Sequence, residues 1–125
     1  QHAHMRFLVR VVTATSFTRW QHREATGSPR RPPGTAARRG ARLFATTTCA
    51  GCHTVRGATT GTAGPDLTDF GSRPTIGAGT LANDPSSLAR WITDPGKAKP
   101  GVHMPPTELT ARQIADIAAY LEGLK

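Results

Sequence analysis

Both cysteines of the chain fall within five residues, Cys49-Ala50-Gly51-Cys52-His53, and no other stretch restricts the fold so strongly. At this C-x-x-C-H spacing two thiols can add across the vinyl groups of one haem while the adjacent imidazole reaches the iron. A chain built on such a motif must wrap a large, flat, apolar body that is covalently part of it. Three other uses of paired cysteines compete. A redox C-x-x-C pair belongs in a βαβ context, which the Gly/Thr-rich sequence after His53 does not supply. A structural zinc site wants four ligands, and there is no second pair. A disulfide between Cys49 and Cys52 would close a small, strained ring.

The rest of the composition agrees with a core completed by such a group. Only 6% of residues are aromatic, against 13 glycines and 10 prolines, so the polypeptide alone offers a thin apolar core. The length of 125 residues suits one domain with an appendage. The net charge of +8 is uneven: residues 1–45 carry nine Arg and one Glu, whereas residues 46–125 are balanced. The basic arm suits an anionic membrane surface or an acidic partner. Nucleic acid is disfavoured, because no binding module accompanies the charge. No run reaches the roughly 18–20 apolar residues of a membrane span, and no leader peptide is evident. Covalent haem attachment is extracytoplasmic in bacteria, so the chain is expected to be a piece of a longer, exported protein.

Met5 to Val12 is short, apolar and β-branched, which predicts a strand that needs partners from preceding sequence. Ser16 to Arg23 predicts a short helix with Phe17 and Trp20 on one side. Gly27 to Gly34, with three prolines and two arginines, reads as a linker. A helix is expected over 35–46, with Ala36, Gly40, Leu43 and Phe44 on its inner face, delivering Cys49. Residues 54–68 read as an irregular loop and Gly77-Ala78-Gly79-Thr80 as a mobile one. A helix starting at Asp84 or Pro85 and capped by Asn83 or Asp84 should bury Leu88, Trp91 and Ile92 and stop at Pro95. The last helix starts at Thr110 in a capping box with Gln113 and buries Ile114, Ile117, Ala118, Leu121 and Leu124.

A second axial ligand would close the iron and favour electron transfer over bond-making. Met104 is the candidate, the only Met beyond the cysteine motif, in the proline-stiffened run Gly101-Val102-His103-Met104-Pro105-Pro106. His103 is the rival. A backbone carbonyl at Gly64-Pro65 can accept from the ring N–H of His53 and orient it. Trp91 and Arg73 are candidates for the haem propionates; core packing for Trp91 and a solvent-facing charge for Arg73 remain open.

Gly40 and Phe44, the Cys49–His53 motif, Gly64-Pro65-x-Leu67, Met104-Pro105-Pro106 and a final helix with Tyr120-Leu121 together resemble class I cytochrome c domains. The resemblance spans about residues 35–125 and implies an all-α fold around one covalent haem c, with the first and last helices crossing near Gly40, Phe44 and Tyr120-Leu121. Gly64 to Arg73, Gly79-Thr80-Leu81 and Leu88 to Ile92 are similar, more closely, to the cytochrome domain fused to subunit II of cytochrome c oxidases of the cytochrome caa type. In that family a dinuclear copper motif, C-x3-C-x3-H-x2-M, precedes the fused domain, and His2 and Met5 match its final His and Met. Both bridging cysteines would precede Gln1, so this chain alone is expected not to assemble the copper centre.

The resemblance implies residues 1–26 as the end of a cupredoxin domain, 27–34 as linker and 35–125 as cytochrome c domain. It further implies one-electron transfer through a haem ligated by His53 and Met104, in the electron-accepting domain of an oxidase subunit. Electrons would come from a cytochrome or other small redox donor. They would pass to dinuclear copper and then to oxygen reduction in subunit I, coupled to proton translocation. The expected location is the extracytoplasmic face of a bacterial membrane, tethered through upstream sequence. The fragment itself would have no turnover of its own. A freestanding electron carrier and, further off, a haem peroxidase or gas-binding protein are the alternatives.

Overall fold

The computed structural model describes residues 6–27 and 34–125. Six helices and two minimal hairpins follow in order: α1 (Ala14–Thr26), α2 (Thr35–Thr46), α3 (Thr48–Cys52), β1 (Thr54–Val55), β2 (Thr59–Thr60), β3 (Thr75–Ile76), β4 (Leu81–Ala82), α4 (Pro85–Thr93), α5 (Pro95–Ala98) and α6 (Ala111–Glu122). A 3-10 turn at Phe70–Ser72 separates the hairpins. Among the described residues no helix is long and apolar enough to cross a membrane.

The frame is the crossing of α2 and α6. Gly40 lies directly on the α6 backbone, where a Cβ would stand 1.9 Å from the carbonyl oxygen of Asp116 and 2.9 Å from the nitrogen of Ile117. Only a residue without a side chain lets two helices approach this closely. One turn on, Phe44 is 2% exposed and its ring lies 5.7 Å from that of Tyr120. Beside the crossing, the Arg39 guanidinium donates twice to the buried Asp116 carboxylate, both bonds at 2.7 Å. This pairing holds the Asp116 carboxyl below its ordinary value. The inner face of α2 is Ala37, Gly40 and Phe44, so Ala37 rather than the expected Ala36 is fully buried.

The capped starts of α4 and α6 form as their sequences predict. Thr110 and Gln113 make a reciprocal capping box. Asp84 accepts from the Ser87 amide at 2.9 Å and from the hydroxyls of Ser86 and Ser87, and these bonds bring its carboxyl down to about 2. Leu88 and Ile92 of α4 pack with Ile114, Ile117 and Leu121 of α6 in one core that also takes Val55, Leu67, Phe70 and Ile76. Trp91 is half-buried at its margin. Pro95 ends α4 as expected but also opens α5, because Asp94 caps a further turn by accepting from the Lys97 amide.

The N-terminal part differs from its sequence reading. Residues 6–12 form no strand: Phe7 is 89% and Val11 95% exposed, and the Arg6 amide donates to the Ala78 carbonyl at 3.0 Å. β-branched residues favour extended backbone but form a strand only against a partner ladder, and none is adjacent among the described residues. The following helix is longer than Ser16 to Arg23, because the Thr13 hydroxyl accepts from the Ser16 amide and starts it earlier. It buries no residue, and Phe17 and Trp20 stack at 5.5 Å while each stays 47% exposed. A fully buried Leu or Ile side chain contributes about 1.5–3 kcal/mol, so the hold on α1 is polar by comparison. Arg56 donates to the Gly27 carbonyl, and the neighbouring Asp69 carboxyl raises Glu24 above its ordinary value.

The stretch 54–68 is irregular from 61 on but opens with a hairpin, and the loop 77–80 is the turn of a second one. Thr54 and Val55 pair with Thr60 and Thr59, and Thr75 and Ile76 pair with Ala82 and Leu81. Residues 77–79 turn the second hairpin with φ of 61°, 58° and 81°, a left-handed run that the two glycines make accessible. The Gly77 carbonyl accepts from the Thr80 hydroxyl and the Lys99 ammonium, so this segment is tied rather than mobile.

Gly40→Ala is expected to destabilise the fold by at least about 2 kcal/mol, because the clash is with backbone that cannot step aside; a thermal melt checks this. Asp116 stays ionised below its ordinary value of 3.8 in the folded chain. The pair's stabilisation is therefore complete above that pH and is lost as pH falls through the lowered value. Acid unfolding curves of Asp116→Asn should lack that component of the acid limb.

Candidate haem site

Immediately after Thr46 the chain turns once and re-enters helix as α3, which carries both cysteines. Three residues apart on a helical turn, the Cys49 and Cys52 thiols share one side. Both are free and half-buried, and the Thr47 hydroxyl lies 3.3 Å from the Cys49 sulfur. The turn closes with the His53 amide donating to the Cys49 carbonyl at 2.9 Å. His53 leaves the helix in extended backbone, with its ring 9% exposed and 6.5 Å from that of Phe44.

The ring orientation is set by one bond. His53 Nδ1 lies 2.8 Å from the Pro65 carbonyl oxygen. A carbonyl can only accept, so Nδ1 carries a proton, and in the neutral ring this leaves the lone pair on Nε2, the tautomer a metal ligand requires. Gly64 makes room for this arrangement: a Cβ there would stand 2.5 Å from Cε1 and 2.7 Å from Nδ1 of the ring. The Gly64 amide in turn donates to the Cys52 carbonyl at 2.7 Å, tying the loop to the cysteine turn.

Residues 37–125 match the Cytochrome c family. The chain belongs to the cytochrome c family. It is also 42% identical over 96 residues to cytochrome c oxidase subunit 2 of Alkalihalophilus pseudofirmus, a match covering 75% of this chain and 27% of that protein. Against cytochrome c oxidase subunit 2 of Bacillus sp. (strain PS3) the identity is 36% over 131 residues, 99% of this chain and 36% of the relative. The chain thus spans about a third of the length of these curated relatives. The all-helical frame with few short strands is that of a class I cytochrome c, as its motifs imply, and the family implies haem c.

The residues present fit that group. Two thiols on one helical turn and an imidazole whose Nδ1 is committed to a carbonyl, in a ring held close against Gly64, are the groups a covalent haem would need on its attachment side. Met104 lies half-buried in a bend between α5 and α6, whereas its rival His103 is exposed. Arg73 is occupied within the protein: its guanidinium donates to the Asp66 carbonyl and lies 5.9 Å above the Phe70 ring. Trp91 packs its ring edge on Gly77. His2 and Met5, with most of the linker, lie outside the described residues.

Sequence reading missed the threonines around His53. The Thr59 hydroxyl donates to the His53 carbonyl at 2.7 Å and accepts from the Val55 amide at 2.9 Å. Thr68, 3% exposed, accepts from the Arg56 amide at 2.9 Å. The Thr-rich composition of 54–68 was visible, but composition does not say which hydroxyl faces which amide.

Gly64→Ala should displace the His53 ring. Loss of the Nδ1 proton resonance from its hydrogen-bonded position, with a lowered melting temperature, is the expected result by NMR and calorimetry.

Proposed function

We propose that this chain is a one-electron transfer domain in which Cys49 and Cys52 hold a haem through thioethers and His53 Nε2 and the Met104 sulfur close the two axial positions. The observation that carries this reading is the His53–Pro65 bond, because it fixes the tautomer and orientation that leave Nε2 ready to ligate. A haem held there supplies an Fe(III)/Fe(II) couple. The polypeptide supplies the rest. Phe44 lies against the His53 ring, the Pro65 carbonyl keeps the Nδ1 proton in place, and the prolines after Met104 restrict the loop that would present its thioether.

The relatives' name supports a place for this domain in cytochrome c oxidase subunit 2. We assign residues 1–26 to the end of a copper domain, 27–34 to a linker and 35–125 to the cytochrome domain. The domain would take electrons from a small redox donor at the extracytoplasmic face of the membrane. It would pass them to a dinuclear copper centre that includes His2 and Met5, whose bridging cysteines belong to preceding sequence. From there they would reach oxygen reduction in subunit I. The match over 99% of this chain to one relative supports reading the N-terminal residues as part of the same protein.

The deciding experiment is an oxidised absorption spectrum of the haem-loaded chain. The sulfur-to-iron charge-transfer band of His/Met ligation should be present, and Met104→Ala should abolish it while His103→Ala leaves it intact. Its absence from the unsubstituted protein would overturn the Met104 assignment.

A further inference from the structure

We propose that Thr68 is a positioning residue that sets the strength of the His53–Pro65 hydrogen bond, and through it the balance between the oxidised and reduced forms of the site. The proposal rests on the haem reading above. The Pro65 carbonyl lies in a short loop held at both ends. On the N-terminal side the anchor is the Gly64 amide on the Cys52 carbonyl, at 2.7 Å. On the C-terminal side the Leu67 amide donates to the Thr54 carbonyl at 2.8 Å, and the Thr68 hydroxyl accepts from the Arg56 amide at 2.9 Å. Both anchors grip the segment Cys52 to Arg56, which carries His53. The ring and the carbonyl that faces it are therefore referenced to the same piece of backbone.

Thr68 is the only one of these anchors made by a side chain, so it can be altered without touching the backbone. It is 3% exposed, and its own amide donates to Asp66 Oδ1 at 2.7 Å, which fixes the loop conformation from inside. Thr59 braces the opposite side of the same segment, bonding the His53 carbonyl and the Val55 amide. Without the Thr68 hydroxyl the half-buried Arg56 amide loses its acceptor, and the loop bearing Pro65 can move away from the imidazole. A weaker bond at Nδ1 leaves Nε2 a poorer donor, which disfavours the oxidised iron.

The test uses the full chain with haem attached. In Thr68→Val the reduced-to-oxidised ratio at a fixed applied potential should rise by about threefold or more, and exchange of the His53 Nδ1 proton should quicken. Thr68→Ser, which keeps the hydroxyl, should restore both. Thr110→Ala, which removes only the α6 cap, should lower the melting temperature and leave the ratio alone. The idea is sunk if Thr68→Val leaves the ratio unmoved, or if Thr68→Ser shifts it as far as Thr68→Val does, since packing of the methyl would then be responsible. Should Thr68→Val fail to accumulate, amide exchange of the unsubstituted protein decides: an Arg56 amide exchanging as fast as exposed backbone overturns the proposal, and a protected one supports it. Unsubstituted protein without covalent haem would instead overturn the underlying functional reading.

Discussion

The close crossing of α2 and α6 is the constraint on which the rest of the structure depends. Gly40 brings the helix axes together, and that approach places Phe44 against Tyr120 and Arg39 against Asp116. α2 is also the helix that delivers the cysteine turn. The position of Cys49, Cys52 and His53 relative to the core is therefore inherited from a contact made with a helix some 70 residues later in the chain. Interior packing of this kind has little give, so the site is carried on a rigid support.

From that support the site is built with short-range bonds. The His53 ring is held by a proline carbonyl that has no freedom of its own, because the loop on either side is tied back to Cys52, Thr54 and Arg56. A metal-ligating imidazole needs both a tautomer and a direction, and one acceptor supplies both. The arrangement suits electron transfer, in which the surroundings should change little between two oxidation states. Its cost is sequence tolerance: Gly64 has no room for a methyl group, and Thr68 is buried with its hydroxyl committed.

The N-terminal residues obey different physics. α1 buries nothing and is tied to the cytochrome c domain by the Arg56–Gly27 bond. Residues 6–12 keep their apolar side chains in water. Membership of the cytochrome c family accounts for residues 37–125, and the match to subunit 2 of Bacillus sp. (strain PS3) extends over 99% of the chain.

Legibility in the sequence tracked how local each cause is. The capping box at Thr110, the Asp84 cap and the cysteine motif were all readable, because each depends on residues within about one helical turn. The carbonyl acceptor at Gly64-Pro65 was readable from the need of a ring N–H at His53 for a partner. Where partners lie far apart, the sequence was silent or misleading. The apolar run at 6–12 has strand propensity but no ladder beside it, and the glycines at 77 and 79 mark a tied turn rather than a free loop. Arg39 finds Asp116, and Thr68 finds the amide of Arg56, only once the helices and loops have packed. The sequence by itself determined which reactive groups stand together, two thiols and an imidazole at C-x-x-C-H spacing, because those groups are adjacent. The tertiary structure decided how that imidazole is aimed and held, because its restraints come from residues that meet only in the folded chain.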